Sequence, residues 1–297
     1  MGVPERQRRI EGRYALVDGI GYKMPVDSSE ASATIAGFSC DWHAARKLVP
    51  EGGDVHPFKL WNRAILVVTI IDYRQTDIGK YIEYSIAIAC TKGAKPAPRL
   101  LPAILQSAYG IGQYVVDLPV SSEVSVKGGK GIWGMPKHQA PLDYREGRKW
   151  ISSQYDLDGR MVTRLDIRRP RRIFLPLDAG AANYCSFRGM IYRSFIYFKG
   201  KAGFSFLKRG AGRLVLGDHP RADWLRGLDL KADALFTAYL PSVKGVLDDY
   251  FDCWFMTLPT EPTGPLGEGL ESTFPLGYGQ EWPPDPARDP SFNLDED

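Results

Sequence analysis

The chain has 297 residues, of which 44% are hydrophobic, and a formal net charge of +3. This is enough apolar material for one large or two small domains, and the interleaved acidic and basic residues argue against nucleic acid or an anionic membrane as the main partner. The four cysteines form no Cys-x-x-Cys pair, which excludes the common zinc and redox motifs, and we expect them in the core. No stretch reaches the roughly 18 apolar residues of a membrane span, which excludes a protein with membrane-spanning helices. The polar N-terminus has no apolar signal core, so we expect a cytoplasmic protein.

Composition divides the chain into three parts. Residues 1–30 are polar, with scattered glycine and proline, and predict an N-terminal arm. Residues 31–253 carry the periodic apolar segments and predict the main domain. Residues 254–297 are rich in proline and glycine and have too little periodic apolar content for a core of their own. They predict a C-terminal extension that is either an ordered strap or a partly disordered tail.

The main domain begins with two predicted strands and a helix between them. Weak alternation over residues 33–38 predicts the first strand. Ser39 or Asp41 can then cap a short helix, which Pro50 ends. The continuous β-branched and apolar run at 64–71 predicts a strand that is buried on both faces.

Residues 81–90 predict a strand whose two faces differ. Side chains alternate along a strand, so the isoleucines and Tyr84 share one face, while Glu83 lies on the other among small residues. This arrangement leaves room for a ligand beside a carboxylate. An exposed glutamate on an edge strand fits the same pattern equally well.

Residues 102–109 predict a short helix, and 114–126 predict a strand that leads into the run GGKGIWGMPKH at 128–138. Four glycines within seven residues allow a tight turn or a close approach to a neighbour. Pro136 favours an extended backbone at Met135. A glycine-rich turn followed by a solvated lysine fits these local features.

The alternative is that Lys137 is held among the apolar side chains of Ile132, Trp133 and Met135. Burial disfavours the charged form of a lysine, and an uncharged amine can form a Schiff base with a ketone. Trp133 and Met135 would then be core residues that also form part of a pocket wall. The local sequence leaves both interpretations open.

The C-terminal half of the main domain consists of short strands separated by turn signals, which indicates an antiparallel barrel or sandwich. Asp158-Gly159 marks one hairpin, and residues 199–201 mark a second. The predicted strands span 151–155, 161–167, 192–198, 203–208, 214–216 and 232–241, with a closing element at 243–250. His43, His56 and His219 are scattered along the chain, so we expect no metal site.

The run GGKGIWGMPKH resembles the lysine motif of the acetoacetate decarboxylase superfamily, in which a Gly-Arg-Glu stretch leads to Pro-Lys-Lys. Lys137 falls on the Schiff-base lysine of that motif. The sequence GKYIEY at 79–84 resembles the superfamily's Gly-x-Tyr-x-Glu, so Glu83 falls on an active-site glutamate. The resemblance extends over about residues 33–251. It implies an α+β, mostly β fold, an antiparallel β-barrel or cone-like acetoacetate decarboxylase fold with a few short helices. It also implies a homo-oligomeric lyase that acts on a small or medium-sized keto acid without a metal or organic cofactor.

Three departures from the superfamily pattern bear on the substrate. His138 stands where the decarboxylase has a second lysine, and its imidazole can relay protons or contact substrate. Ala31 lies nearest the position of an arginine that precedes the first strand in the decarboxylase. Residues 66–69 correspond to a strand that carries a second active-site glutamate there and no acid here. The resemblance therefore implies imine formation more strongly than it implies acetoacetate as the substrate.

The predicted site consists of Lys137 and Glu83 as catalytic residues, with His138, Trp133 and Met135 in contact with the substrate. Three functions remain open at this stage. The first is a Schiff-base decarboxylase of a keto acid, and the second is an aldolase-dehydratase on a 2-oxo acid such as pyruvate. The third is a non-catalytic barrel that binds a small apolar ligand.

Overall fold

Strands make up most of the chain within residues 12–98, 109–172 and 175–260, which the computed structural model describes. The helices in these ranges are short: α1 (Trp42–Arg46), α2 (Glu123–Trp133) and α3 (Asp223–Arg226), with a 3-10 turn at Pro220–Ala222. The strands are β1 (Tyr14–Val17), β2 (Ile20–Lys23), β3 (Val26–Asp41), β4 (Val55–Pro57), β5 (Arg63–Thr76), β6 (Tyr81–Lys92), β7 (Gly112–Val120), β8 (Lys137–Gln139), β9 (Arg145–Glu146), β10 (Trp150–Leu157), β11 (Arg160–Arg168), β12 (Leu175–Phe187), β13 (Met190–Phe206), β14 (Gly212–Leu216) and β15 (Phe236–Phe255). The predicted class, α+β and mostly β, is confirmed.

A nine-stranded sheet forms the body of the fold, in the order β4-β6-β5-β3-β15-β13-β12-β7-β8. Strand β6 also pairs with β7, so successive pairings lead from β6 through six other strands and return to it. Most neighbours are antiparallel, as predicted, but β7 runs parallel to both β12 and β8. The concave face of this sheet surrounds a cavity.

A second sheet, in the order β14-β11-β10-β9, packs on the outside of the first. The core between them contains Leu66 and Ile70 of β5, Tyr84 of β6, and Tyr155 and Leu165 of the smaller sheet, all at most 1% exposed. Hydrophobic burial of this kind is the main driving force of folding. It fixes which face of β5 and β6 turns outward, and therefore which face turns toward the cavity.

Strand β5 differs from the expectation of two equivalent buried faces. Leu66, Val68 and Ile70 are fully buried in the core, whereas Val67 and Ile71 on the opposite face line the cavity. Both faces are apolar because one packs against protein and the other against an internal space. A continuous apolar run does not distinguish these two environments.

Residues 123–133 form the helix α2, whereas the sequence predicted a strand through 126 and then a turn. The helix ends at Gly134, whose φ of 63° lies in the left-handed region that glycine adopts without strain. The glycines inside the helix serve a different purpose from turning the chain. A Cβ atom on Gly128 would lie 2.6 Å from the ring of Tyr22, so only glycine permits the helix to approach the β1–β2 hairpin this closely.

The predicted hairpin at 199–201 is wrong, because β13 runs without interruption through these residues. The turn lies instead at Arg188-Gly189, between β12 and β13, where both residues have positive φ. A Cβ atom on Gly200 would lie 2.6 Å from the carbonyl oxygen of Ser242, and the register between β13 and β15 shifts here. This glycine accommodates a β-bulge rather than a turn.

Other predicted elements agree with the structure. Asp41 caps α1, since its carboxylate accepts a hydrogen bond of 2.8 Å from the backbone N–H of Ala44. Asp158-Gly159 joins β10 to β11 with positive φ at both residues, as a two-residue hairpin requires. The predicted strand at 232–241 and its closing element belong to one strand, β15, which begins only at Phe236, and the register shift between Leu240 and Val243 accommodates the intervening proline.

The terminal segments differ in part from the sequence analysis. From residue 12 onward the predicted arm is folded: β1 and β2 form a hairpin whose Val17 and Tyr22 are buried in a core cluster. The compact unit extends to Leu258, beyond the predicted boundary at residue 254. Most of the predicted helix at 102–109 and most of the C-terminal extension lie outside the described residues.

Two smaller findings complete the description. Three of the cysteines are buried as expected, but Cys253 is exposed because it lies near the end of β15. Among the described residues, no helix has the length and apolar character needed to cross a membrane.

Candidate active site

The cavity enclosed by the large sheet has a volume of about 330 Å³. Its walls come from the inward faces of β3, β5, β6, β7, β12, β13 and β15, together with one side of α2. Most lining side chains are aliphatic or aromatic. Among the described residues that line it, Glu83 and Lys137 are the charged ones.

Lys137 reaches the cavity because of how the chain leaves α2. After the left-handed Gly134, Met135 and Pro136 lead into β8, where Lys137 pairs with Leu118 of β7. The lysine side chain then passes directly over Gly129 of α2. A Cβ atom on Gly129 would lie 2.3 Å from Cδ of Lys137, so the glycine provides the space in which the lysine chain lies.

The amine of Lys137 is buried and bound to two oxygen atoms. Its side chain is only 3% exposed, and Nζ donates hydrogen bonds to Oε2 of Glu83 at 2.8 Å and to Oγ of Ser125 at 2.9 Å. The ring centroid of Tyr81 lies 5.7 Å from Nζ. The 2.8 Å distance is typical of a charge-assisted hydrogen bond, so the amine and the carboxylate are in direct contact.

Two stacked tyrosines form the wall next to this pair. The rings of Tyr73 and Tyr81 lie 4.5 Å apart between centroids. Burial, and secondarily the negative charge of Glu83, holds the pKa of both phenols well above the ordinary value. Both hydroxyls therefore remain neutral.

Trp133 and Met135 lie where the sequence analysis expected them. Both are buried, with 2% and 5% of their surface exposed, and both line the cavity that contains Lys137. They belong to the apolar cluster that also contains Leu118 and Val115 of β7. Their position combines the two roles that the sequence left open, because they are core residues and also part of the pocket wall.

His138 does not lie in the cavity of Lys137, contrary to its predicted contact with substrate. Adjacent residues of a strand point to opposite faces, so His138 faces the core between the two sheets. Its Nε2 lies 2.9 Å from the hydroxyl of Tyr155, and its Nδ1 faces Asp117 at 3.5 Å. Burial lowers the pKa of His138, although the nearby Asp117 opposes this effect.

Asp117 anchors this outer cluster. The carboxylate is 3% exposed and accepts two hydrogen bonds from Arg221, at 2.7 Å to Nη2 and 3.1 Å to Nε. Such a bidentate pair joins the 3-10 turn before α3 to the outer face of β7. The geometry explains the histidine as part of a structural network on the far side of β8.

The sequence analysis missed Ser125 and the tyrosine pair. Ser125 was assigned to a strand, whereas its place in the first turns of α2 directs its hydroxyl toward Lys137. A helix signal was present, since Glu123 and Lys127 are spaced i,i+4 and approach to 3.4 Å. Tyr81 could have been found from its position two residues before Glu83, on the same face of β6.

No group of three or more potential metal ligands comes together in the part of the chain that the structure describes. The residues around Lys137 also offer no set of ligands for a metal, because Glu83 is the acid among the described lining residues. The described residues around Lys137 present an amine, a carboxylate and hydroxyl groups to the cavity.

Comparison with known proteins identifies the family. A family model described as acetoacetate decarboxylase (ADC) matches residues 15–174. A solved acetoacetate decarboxylase superposes with a TM-score of 0.58 at 17% identity, covering 80% of this chain and 92% of its own. The acetoacetate decarboxylase of Legionella pneumophila gives 0.56 at 14% identity, with coverages of 84% and 94%. The enduracididine biosynthesis enzyme MppR gives 0.55 at 15% identity, with coverages of 78% and 88%.

At these identities the structural likeness concerns the fold. No curated protein sequence matches the chain significantly. The match of the family model nevertheless covers more than half of the 297 residues. The chain belongs to the acetoacetate decarboxylase family.

Proposed function

We propose that the protein is a Schiff-base-forming lyase in which Lys137 attacks the carbonyl carbon of a keto acid and the acid is decarboxylated. The observation that carries this proposal is the position of the Lys137 amine. It is buried in an apolar cavity, 2.8 Å from the carboxylate of Glu83 and 2.9 Å from the hydroxyl of Ser125. A solvated lysine would have neither the enclosure nor the proton acceptor that imine formation needs.

Glu83 has the role of proton acceptor and donor in this proposal. Attack requires the amine in its uncharged form, and the carboxylate of Glu83 takes the proton that Nζ gives up. The resulting carbinolamine loses water to give a protonated imine on Lys137. Glu83 supplies the proton that leaves with this water, so the pair returns to one positive and one negative charge.

The protonated imine then serves as an electron sink. When the bond to the carboxyl group breaks, carbon dioxide leaves and the bonding electron pair moves toward the imine nitrogen, which gives an enamine. Protonation of the enamine carbon and hydrolysis of the imine release the ketone and restore the amine. Trp133, Met135 and Leu118 keep the surroundings apolar, which favours loss of the charged carboxylate as neutral carbon dioxide.

Reductive trapping tests this proposal. The protein is incubated with acetoacetate or pyruvate and with borohydride, and the modified peptide is identified by mass spectrometry. We expect an adduct on Lys137 that is absent from the Lys137→Ala variant. The Lys130→Ala variant is the matched control, because Lys130 lies on the exposed side of α2. Failure of every carbonyl compound to label Lys137 would refute the proposal and favour a non-catalytic binding barrel.

A second candidate in the same chemistry is an aldolase-dehydratase that acts on a 2-oxo acid such as pyruvate. The position of Glu83 supports it, because its carboxylate lies 2.8 Å from Nζ of Lys137 and is therefore close to the carbon next to an imine on that nitrogen. In this reaction Glu83 removes a proton from the carbon next to the imine, and the enamine attacks an aldehyde. One solved structure of MppR is described as a complex with the condensation product of pyruvate and imidazole 4-carboxaldehyde.

The two reactions differ in their products. Decarboxylation releases carbon dioxide from the keto acid alone, whereas condensation consumes an aldehyde and retains the carboxyl group. Both measurements should be made on unreduced protein, from preparations in which a separate sample treated with borohydride is labelled at Lys137. Carbon dioxide release that Lys137→Ala abolishes supports the decarboxylase, and aldehyde consumption without carbon dioxide supports the aldolase-dehydratase.

A further inference from the structure

The cavity is larger than a small keto acid requires. At about 30 Å³ for each molecule in liquid water, its 330 Å³ corresponds to roughly eleven water molecules. This volume falls at the lower end of the range of about 300–1,000 Å³ that is typical of sites for drug-sized ligands. A compound of the size of acetoacetate would fill only part of the space next to Lys137.

The additional space follows β7 away from the lysine. Lys137 pairs with Leu118, and the cavity continues along the same strand to Gln113. Because strands rise about 3.3 Å for each residue, and the register with β6 shifts once in between, this part of the cavity is roughly 15 Å long. We call it the β7 arm and define it by the lining residues Gln113, Val115, Leu118, Ala182 and Ile196.

The β7 arm is apolar along its length and polar at its far end. Val115, Leu118 and Ala182 line the cavity, have apolar side chains and are almost completely buried. At the end, Nε2 of Gln113 donates a hydrogen bond of 2.8 Å to Oδ1 of Asn183, across the parallel pair of β7 and β12. These amides are joined by this bond and carry no charge.

The distribution of charge limits what can occupy the arm. The charged groups among the described lining residues, Lys137 and Glu83, neutralise each other at 2.8 Å at the other end of β7. A charged group placed along the arm would lose its hydration without gaining an ionic partner, which is strongly unfavourable. An aliphatic or aromatic chain would instead leave water and contact apolar side chains.

We infer that the carbonyl compound attacked by Lys137 carries an extended, uncharged apolar chain that lies in the β7 arm and reaches toward Gln113 and Asn183. The inference rests on the proposed function for the identity of the attacking group. It adds a substrate class to that proposal, namely keto acids in which a chain of several carbons replaces the methyl group of acetoacetate. The carboxyl group, where present, lies at the Lys137 end of the cavity.

A series of methyl ketones tests the inference without requiring decarboxylation. Acetone and the methyl propyl, methyl pentyl and methyl heptyl ketones are each incubated with the protein and cyanoborohydride, and labelling of Lys137 is measured against ketone concentration. We expect the half-saturating concentration to fall about three- to fourfold for each added methylene until the arm is filled. A half-saturating concentration that is independent of chain length overturns the inference, while labelling itself leaves the proposed function in place.

Two substitutions at Val115 provide a matched pair. Val115→Phe adds bulk inside the arm, and we expect it to reduce or remove the dependence on chain length. Val115→Ala enlarges the arm, and we expect it to extend the dependence to longer chains. Circular dichroism and thermal unfolding show whether each variant is folded, and the Ala variant keeps the test decisive where the Phe variant is unstable. Identical chain-length dependence in all three proteins refutes the assignment of the chain to this arm.

One further measurement separates the inference from the proposed function. In Lys137→Met the amine is absent but the length of the side chain is kept, and calorimetric titration with the same ketones reports binding alone. If no ketone labels Lys137 in the unmodified protein, the proposed function fails. Affinity that still rises with chain length in Lys137→Met then supports the apolar arm as a binding site, and affinity that does not rise refutes it.

Discussion

Replacing Gly129 by alanine should displace the amine of Lys137 while leaving the lysine and its hydrogen-bond partners chemically unchanged. The new Cβ atom would lie 2.3 Å from Cδ and 2.8 Å from Cε of the lysine, whereas ordinary contacts begin near 3.4 Å. The side chain must therefore move by about 1 Å at Cδ. Nζ cannot follow this movement and keep both hydrogen bonds, to Glu83 and to Ser125. Since a misplacement of about 1 Å can cost roughly a hundredfold in rate, we expect about a hundredfold slower labelling of Lys137.

The effect on stability should be small by comparison. Alanine is favoured over glycine inside a helix by about 1 kcal/mol, and overpacking typically costs about 1–3 kcal/mol. We therefore expect Gly129→Ala to lower the free energy of unfolding by about 0–2 kcal/mol. Urea unfolding measures this value, and borohydride labelling with acetoacetate or pyruvate, followed by quantitative peptide mapping, measures the loss of reactivity.

Gly131→Ala is the matched control. Its Cβ atom would lie 2.5 Å from Cγ1 of Val17, so it introduces a comparable clash in the same helix without contacting the lysine. We expect it to be similarly stable and to be labelled at nearly the rate of the unmodified protein. Full labelling of Gly129→Ala, or equal losses in the two variants, would refute the argument that Gly129 fixes the position of the amine.

Three further predictions concern the charged groups on either side of β8. Glu83→Gln keeps the shape of the side chain but removes the proton acceptor. The rate at which Lys137 is labelled at neutral pH should therefore fall about ten- to a hundredfold, while the circular dichroism spectrum is unchanged. Undiminished labelling would show that Glu83 is not the acceptor. Asp117→Asn leaves the guanidinium of Arg221 without its buried anionic partner, and urea unfolding should show a loss of about 2–3 kcal/mol, below the usual range of about 3–5 kcal/mol because Arg221 is 39% exposed; a loss below about 0.5 kcal/mol would contradict this. Burial lowers the pKa of His138, so below its ordinary pKa of about 6.5 the unfolded chain binds a proton that the folded chain does not. Stability should therefore fall as pH decreases from about 7 toward 5, and His138→Gln should reduce this slope; an equal slope in both proteins would exclude His138 as its source.

The sequence predicted the positions of some candidate site residues better than those of others. Lys137 and Glu83 are 54 positions apart, yet motif and strand alternation placed both toward a common ligand, and the structure brings their side chains to 2.8 Å. Alternation along β8 also determined that His138 must face away from Lys137, but this followed only once residues 137–139 were known to form a strand. The sequence analysis placed the adjacent Lys137 and His138 toward the same substrate, and for His138 this was wrong.

The glycines show why the remaining errors occurred. Glycine is permitted wherever a turn, a bulge or a close approach needs it, and the local sequence does not distinguish these uses. At 128–131 the glycines let a helix lie close to Tyr22 and to the lysine chain, and at Gly200 a glycine accommodates a bulge beside Ser242. In each case the neighbour that requires a glycine comes from a distant part of the chain.

By itself, the sequence determined the mostly β class, the capped helix at Asp41, the hairpin at Asp158-Gly159 and the pairing of a candidate lysine with a candidate carboxylate. These properties depend on local propensity, on alternation and on a short motif, so a window of a few residues contains them. Only the tertiary structure decided that α2 is a helix, that Ser125 meets Lys137, and that a cavity of about 330 Å³ extends along β7. Those properties depend on which faces of β3, β5, β12, β13 and β15 surround a common space, and strand pairing across the whole chain sets that arrangement.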